Sequence, residues 1–353
     1  MKPSLWLALL LIFAPIPTLA QGDAERYESV RLFNQANDKS AKGDYQGALA
    51  DYALSVKKFP GYYDAYARSA ELRFKLQEYA KAIEDYRQML RLYANDGGAY
   101  QRIGESYLAL QDYPKAIEAF SRLVSFNESS PQSRKLRASV YIAIGEYTKA
   151  LADYQVLFDQ DPEIAAQAYF ESGKIYQRLD KFPLALEAYK QAALLNVEVP
   201  GLLAQQGFTR YQNGRNLPAM SDCTEALKTD PQNVLAYYGR GNANFYLGLK
   251  SEAQADYSAA ASLEPKNEFD FQARAIARLN TKDYPGAVAD YTQAIALHPP
   301  FAAAFFGRGQ SKLAAGDRQG AIADFQKAAK LYGERSDPEN QQKVQTVLQK
   351  IGL

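Results

Sequence analysis

The chain has 353 residues, 47% of them hydrophobic, with 41 lysines and arginines against 40 aspartates and glutamates. That apolar content excludes a disordered chain, and the balanced charge argues against the clustered positive surface that nucleic acid requires. A single histidine and a single cysteine exclude multi-histidine metal sites, thiolate zinc clusters and an intramolecular disulfide, so no metal or cofactor is expected.

In chain order, Met1 and Lys2 give a short positive start, Leu5 to Phe13 is an unbroken apolar run, and Thr18-Leu19-Ala20 ends in small residues at the two positions a signal peptidase reads. Residues 1–20 are therefore expected to be a signal peptide cleaved before Gln21. The apolar run covers about half of the ~20 residues needed to span a bilayer, so no membrane span is expected after cleavage. The mature chain is expected outside the cytoplasm: in a periplasm, in a lumen or secreted. No cysteine follows the apolar run, which leaves no lipid attachment point there. Residues 21–28 read as a short leader.

From Ser29 the chain repeats. Alanines fall at Ala48, Ala82, Ala116, Ala150, Ala185, Ala219, Ala253, Ala287 and Ala321, spaced by 34 residues with one step of 35. A period of that size marks an array of helix-turn-helix units. With this alanine at position 20 of each unit, nine units start near 29, 63, 97, 131, 166, 200, 234, 268 and 302 and fill residues 29–335. Position 8 is always small: Ala36, Ala70, Gly104, Ala138, Gly173, Gly207, Gly241, Ala275 and Gly309. Helices approach closely only where side chains are small, so positions 8 and 20 mark the crossing of helices A and B. Position 24, one turn beyond position 20, is aromatic in eight units, from Tyr52 to Phe325, and Cys223 in the sixth. Pro60, Pro162, Pro231, Pro265 and Pro299 at position 32 are expected to stop helix B. Gly43, Gly145 and Gly316 mark turns between the two helices.

After the array, Asp337 can cap a last helix over 337–352, with Pro338 at its first position. Val344, Val347, Leu348 and Ile351 share one face of it, suited to cover the open side of the ninth unit.

The small, small, aromatic and proline positions in register resemble the tetratricopeptide repeat family over residues 29 to about 335. The resemblance implies an all-α, right-handed superhelical solenoid whose concave wall, made by the A helices, holds a peptide or protein segment. It implies a non-enzymatic interaction scaffold or assembly factor with protein or peptide partners. A co-chaperone, a glycan- or lipid-binding solenoid and the recognition subunit of an enzyme complex stay open as alternatives, as does self-association.

Single residues read mostly as structure. Cys223 replaces a core ring, so a buried thiol is expected. His298, before Pro299, reads as a turn histidine at a helix C-terminus, and Asn127-Glu128-Ser129 matches a glycosylation sequon. Arg137, Arg240, Arg274 and Arg308 at position 7 each accompany an acid at position 23, namely Asp153, Asp256, Asp290 and Asp324. Partly shielded pairs inside each unit are expected, fixing helix A against helix B.

In the resembled family, positions 2, 5, 9 and 12 of helix A line the groove. In units six to nine these give Phe208, Tyr211, Tyr238, Asn242, Phe245, Phe269, Gln272, Phe306 and Gln310, an aromatic-amide wall. Tyr238, Asn242 and Phe245 are its foremost candidates. In units two to five the neighbouring positions give Arg68, Glu71, Arg102, Glu105, Lys135, Phe170 and Lys174, a mostly charged wall. A carboxylate clamp of the kind some relatives carry finds matches in Asn37 and Arg102. Phe33, Arg68 and Gly98 stand where its lysines and second asparagine belong, which argues against that specificity.

Overall fold

The computed structural model describes residues 18–126, 128 and 130–352. The apolar run Leu5–Phe13, and Asn127 and Ser129 of the sequon, lie outside the described residues. Among those residues the chain forms nineteen α-helices and no strand, none of them long and apolar enough to cross a membrane. The chain is an all-α solenoid of paired helices divided into two units, residues 1–126 and 127–353.

The first unit holds three hairpins: α1 (Thr18–Ala41) with α2 (Tyr45–Lys58), α3 (Tyr63–Lys75) with α4 (Tyr79–Leu92), and α5 (Gly97–Ala109) with α6 (Tyr113–Phe126). Residues 21–28 are helical and continuous with the first A helix. The second unit holds six: α7 (Pro131–Ala143) with α8 (Tyr147–Gln155), α9 (Pro162–Arg178) with α10 (Phe182–Leu194), α11 (Leu202–Gln212) with α12 (Asn216–Thr229), α13 (Val234–Tyr246) with α14 (Lys250–Ser262), α15 (Glu268–Asn280) with α16 (Tyr284–Leu297), and α17 (Ala302–Ala314) with α18 (Arg318–Glu334). The last helix, α19 (Pro338–Lys350), starts from Asp337, whose side chain accepts from Asn340 N. Its Val344 is buried beside Phe325, Leu331 and Tyr332, with Val347, Leu348 and Ile351 packed around them, so α19 closes the array.

The register residues build the core. All nine position-20 alanines and all nine position-24 side chains are buried. Position 8 is small because the position-24 ring fills its space: a Cβ built at Gly104 would lie 2.4 Å from Phe120, and one at Gly173 would lie 2.3 Å from Tyr189. Overpacking costs about 1–3 kcal/mol, and with Tyr189 fully buried the upper end applies, above the ~1 kcal/mol of helix propensity that alanine returns. Gly173→Ala should therefore lower the denaturant midpoint of the second unit; a raised midpoint would refute this packing account.

The turn inside each hairpin needs a left-handed residue at position 15. Glycine supplies it at Gly43, Gly145, Gly214, Gly248 and Gly316, and Gln77, Gln111, Asp180 and Lys282 adopt the same positive φ. Four of the position-32 prolines follow the end of a B helix, but Pro162 does not stop one: α8 ends at Gln155 and Pro162 opens α9, with Asp161 as its cap. This follows from Pro's suitability for the first helical position, where its missing N–H is not needed.

Each of the four position-7 arginines meets its position-23 aspartate through two nitrogens. The distances are 2.9 and 2.5 Å for Arg137–Asp153, 3.0 and 2.7 Å for Arg240–Asp256, 2.9 and 2.8 Å for Arg274–Asp290, and 2.8 and 2.6 Å for Arg308–Asp324. Each acid also takes a further donor: Arg134 at Asp153, Asn244 at Asp256, Arg278 at Asp290 and Lys312 at Asp324. The Asp256 carboxylate holds the Arg240 guanidinium above its ordinary pKa although burial works against it. Cys223 is a buried thiol pushed up to about 12, chiefly by burial and then by Asp222, which leaves it unreactive. Its small volume lets the next helix close in: a Cβ at Gly239 would lie 2.9 Å from Cys223 Sγ.

Solenoid repeats ordinarily touch only their neighbours. The second unit adds contacts between hairpins far apart in sequence. Tyr147 OH lies 2.6 Å from His298 Nε2, Arg178 meets Glu268, Arg335 donates to Arg178 O at 3.0 Å and to Tyr147 OH at 3.2 Å, and Asn340 donates to Asp180 at 3.3 Å. Arg335 can only donate, so the Tyr147 hydroxyl accepts from it, while the direction of the Tyr147–His298 bond follows the imidazole tautomer. His298 caps the C-terminus of α16, the turn position expected of it, and its side chain is buried there. Burial, then Arg178, pushes it down to about 3 against the opposing pull of Glu268.

Candidate functional site

Within the second unit, two adjoining cavities of about 460 and 430 Å³ share Tyr211, Tyr238, Tyr246 and Ile276 and form one cleft. Helices α11, α13 and α15 are successive A helices, and their like faces lie side by side, so residues four apart on each stack into a common wall. Phe182 and Asn216, the first residues of α10 and α12, complete one edge.

A run of rings makes the floor. Centroid distances are 5.7 Å for Phe208–Tyr238, 6.3 Å for Tyr211–Tyr238, 6.1 Å for Tyr211–Tyr246 and 6.4 Å for Tyr238–Tyr257. Burial pushes the phenols of Tyr211, Tyr238 and Tyr257 up, so they stay neutral and keep their protons for donation. Around the rings stand the amides Gln212, Asn216, Asn242, Gln254, Gln272 and Asn280, and Lys250 is the one charged side chain among the lining residues. Asn216 Oδ1 is a buried acceptor with no protein partner.

The candidates from the sequence separate into three groups. Tyr211, Tyr238, Phe208 and Gln272 line the cleft, though Phe208 and Tyr238 are buried in its floor and present only an edge. Phe245 stands on the rim, about half exposed, with its ring edge-on to Tyr246. Asn242 lines the second cavity, but its amide is engaged within the hairpin: it donates to Tyr238 O at 2.9 Å and accepts from Tyr257 OH at 3.1 Å. Phe269, Phe306 and Gln310 are not brought to the cleft. Phe269 is enclosed between Phe301 and the Arg178 guanidinium, Phe306 packs on Phe325, and Gln310 is exposed elsewhere. Phe269 is covered from outside its own hairpin, whereas Phe306 turns onto the B helix of its own.

In the first unit, Arg68 lines a separate cavity of about 530 Å³ with Asn37, Tyr45 and Lys75. The clamp-like residues are engaged internally: Asn37 accepts from Tyr52 OH at 2.6 Å, and Arg102 pairs with Glu71 and Glu105. Phe182, Asn216 and Tyr246 were missed from the sequence. Tyr246 stands beside Phe245 at position 13, and the other two open B helices at position 17, outside the four groove positions. Among the described residues no group of three or more His, Cys, Asp or Glu side chains could hold a metal ion.

Successive A helices thus present a shaped surface of rings and amides. Tetratricopeptide-repeat family models match residues 33–97, 102–163, 135–202, 234–267 and 273–339, and the chain belongs to that family. A tetratricopeptide repeat protein from Parabacteroides merdae is similar over 84% of this chain and 99% of its own, at 16% identity and a TM-score of 0.50. The C-terminal part of a TPR repeat-containing protein from Cytophaga hutchinsonii covers 68% of this chain and 98% of its own, at 21% identity and a TM-score of 0.48. Yeast Tom70 covers 91% and 96% respectively, at 12% identity and a TM-score of 0.38. A comparison with curated proteins finds no match. The chain is a protein-interaction scaffold of the tetratricopeptide type.

Proposed function

We propose that the chain is a scaffold outside the cytoplasm that holds an extended, largely uncharged peptide segment of a partner protein in the cleft over α11, α13 and α15. The observation that carries this reading is the lining itself: ring faces and edges interspersed with amides, and one cation. Amide side chains both donate and accept, as a peptide backbone does, while apolar side chains of the guest lodge among the rings. The orphan acceptor of Asn216 asks for an N–H or O–H donor. The export part of the proposal rests on the sequence of residues 1–20.

Panning the full chain against displayed random peptides and, in parallel, against soluble cell-wall glycans tests this reading. Peptides rich in aromatic and aliphatic residues should be retained. Tyr246→Ala, at a 65% exposed ring, should weaken them by roughly tenfold or more, as loss of an interface aromatic does, with unchanged helicity. Retention of glycans with no peptide enriched would replace the peptide reading with a sugar-binding one.

A further inference from the structure

We propose that the Arg178–Glu268 pair is a clasp that fixes the separation of the two walls of the cleft, and thereby the thickness of the segment admitted. The proposal rests on the cleft being the ligand site.

Arg178 is the last residue of α9, and four residues on Phe182 opens α10 and lines one side of the cleft. Glu268 is the first residue of α15, and one and two turns on Gln272 and Ile276 line the opposite side. One ion pair therefore joins the roots of both walls across 90 residues of sequence. Both side chains are withdrawn from water, at 6% and 14% exposure. Burial opposes ionisation of Glu268, yet Arg178, then its own backbone N–H and then Lys174 hold its carboxyl below the usual range. The Arg178 guanidinium also covers the Phe269 ring at 4.9 Å, and its carbonyl is gripped by Arg335.

The pair differs from the Arg–Asp pairs inside the hairpins. Those meet their aspartate through two nitrogens, whereas Arg178 Nε and Nη1 are buried with no partner. A half-satisfied buried arginine is a poor source of stability. Its place at the roots of both walls gives it a positioning role instead.

Spin labels at Leu184→Cys on α10 and Lys282→Cys in the α15–α16 turn, both exposed positions, report the wall separation without any ligand. The buried Cys223 leaves the native chain without a competing thiol. The intact clasp should give one narrow distance. Arg178→Gln and Glu268→Gln should each lengthen and broaden it by several ångströms, and the charge swap Arg178→Glu with Glu268→Arg should restore it. Peptides selected on the parent should shift their relative preference for bulky over small side chains about tenfold in the opened variants, the scale on which a pocket discriminates size. A broad distance in the parent, or one unmoved in variants of native helicity, overturns the clasp and leaves the peptide reading untouched. Distances that respond in a chain retaining no peptide keep the wall-spacing role and remove the ligand assignment.

Discussion

Asp290→Ala is expected to destabilise the second unit by about 3–5 kcal/mol, the cost of breaking a buried ion pair by removing one partner. Asp290 receives Arg274 at 2.9 and 2.8 Å and Arg278 at 2.8 Å, and the Arg274 and Asp290 side chains are only 9% and 3% exposed. Losing the carboxylate takes the main acceptor from two guanidinium groups, leaving Arg274 with the Leu263 carbonyl at 2.7 Å and Glu264 at 3.5 Å, and Arg278 with the Gly286 carbonyl at 3.2 Å and Asp283 at 3.6 Å. The apolar double variant Arg274→Met with Asp290→Leu should recover much of the loss, since a well-packed apolar pair can match a buried ion pair. Denaturant unfolding of the four chains of this double-mutant cycle gives the coupling, and additive single effects would show that the pair does not act as a unit. The equivalent change at Asp324 should cost less, because Arg308 is more exposed, at 17%.

The second large effect concerns pH and the contacts that join distant hairpins of the second unit. His298 is held down to about 3 by burial, then by Arg178, with Glu268 opposing and Arg335 assisting. As pH falls, the unfolded chain therefore takes up this proton first; the His298 contribution is complete above about 6.5 and is lost progressively toward 3. Asp180 behaves oppositely. Burial, then the neighbouring Asp337, pushes its carboxyl up to about 7 against Arg335 and Lys343. Here the folded chain takes up the proton first, so stability is gained as pH falls from about 7 toward 4 and is lost as pH rises through 7. Between about pH 4 and 6.5 the two slopes, each ~1.4 kcal/mol per pH unit, nearly cancel. Relative to the parent, Asp180→Asn should lose stability on acidification across that window, and His298→Gln should gain it. Unfolding free energies at pH 4, 5, 6 and 7 check this, and parallel profiles for all three chains would refute both assignments.

The hairpin core was readable because each register residue meets a partner at fixed spacing within its own unit. Ala185 and Tyr189, or Arg274 and Asp290, need nothing from outside their hairpin. The same logic extends further than the four pairs. Position 23 is also acidic at Asp51, Asp85 and Asp222, and position 11 supplies a base to each: Lys39 at 2.6 Å, Arg73 at 3.3 Å and Arg210 at 2.5 Å. That second base is visible in the repeat register, but its role depends on the rotation of helix A about its axis. The cleft was only half legible. Tyr211, Tyr238 and Gln272 follow from the face of one helix, whereas the fate of Phe269 depends on which neighbour covers it. The clasp was not legible, since no local spacing relates Arg178 to Glu268.

The closure of the second unit also changes how that part of the chain can fold. An open repeat array can nucleate anywhere and fray from its free ends, because every contact is local. Tyr147 with His298, Arg178 with Glu268 and Arg335 with Tyr147 tie early hairpins to late ones across 90 to 188 residues. Such ties raise the mean sequence separation of contacts and defer part of the stabilisation until the last hairpins are in place. The second unit should thus complete its assembly late, and amide hydrogens near α8 and the α9–α10 turn should open together with those at the start of α15 and the end of α18.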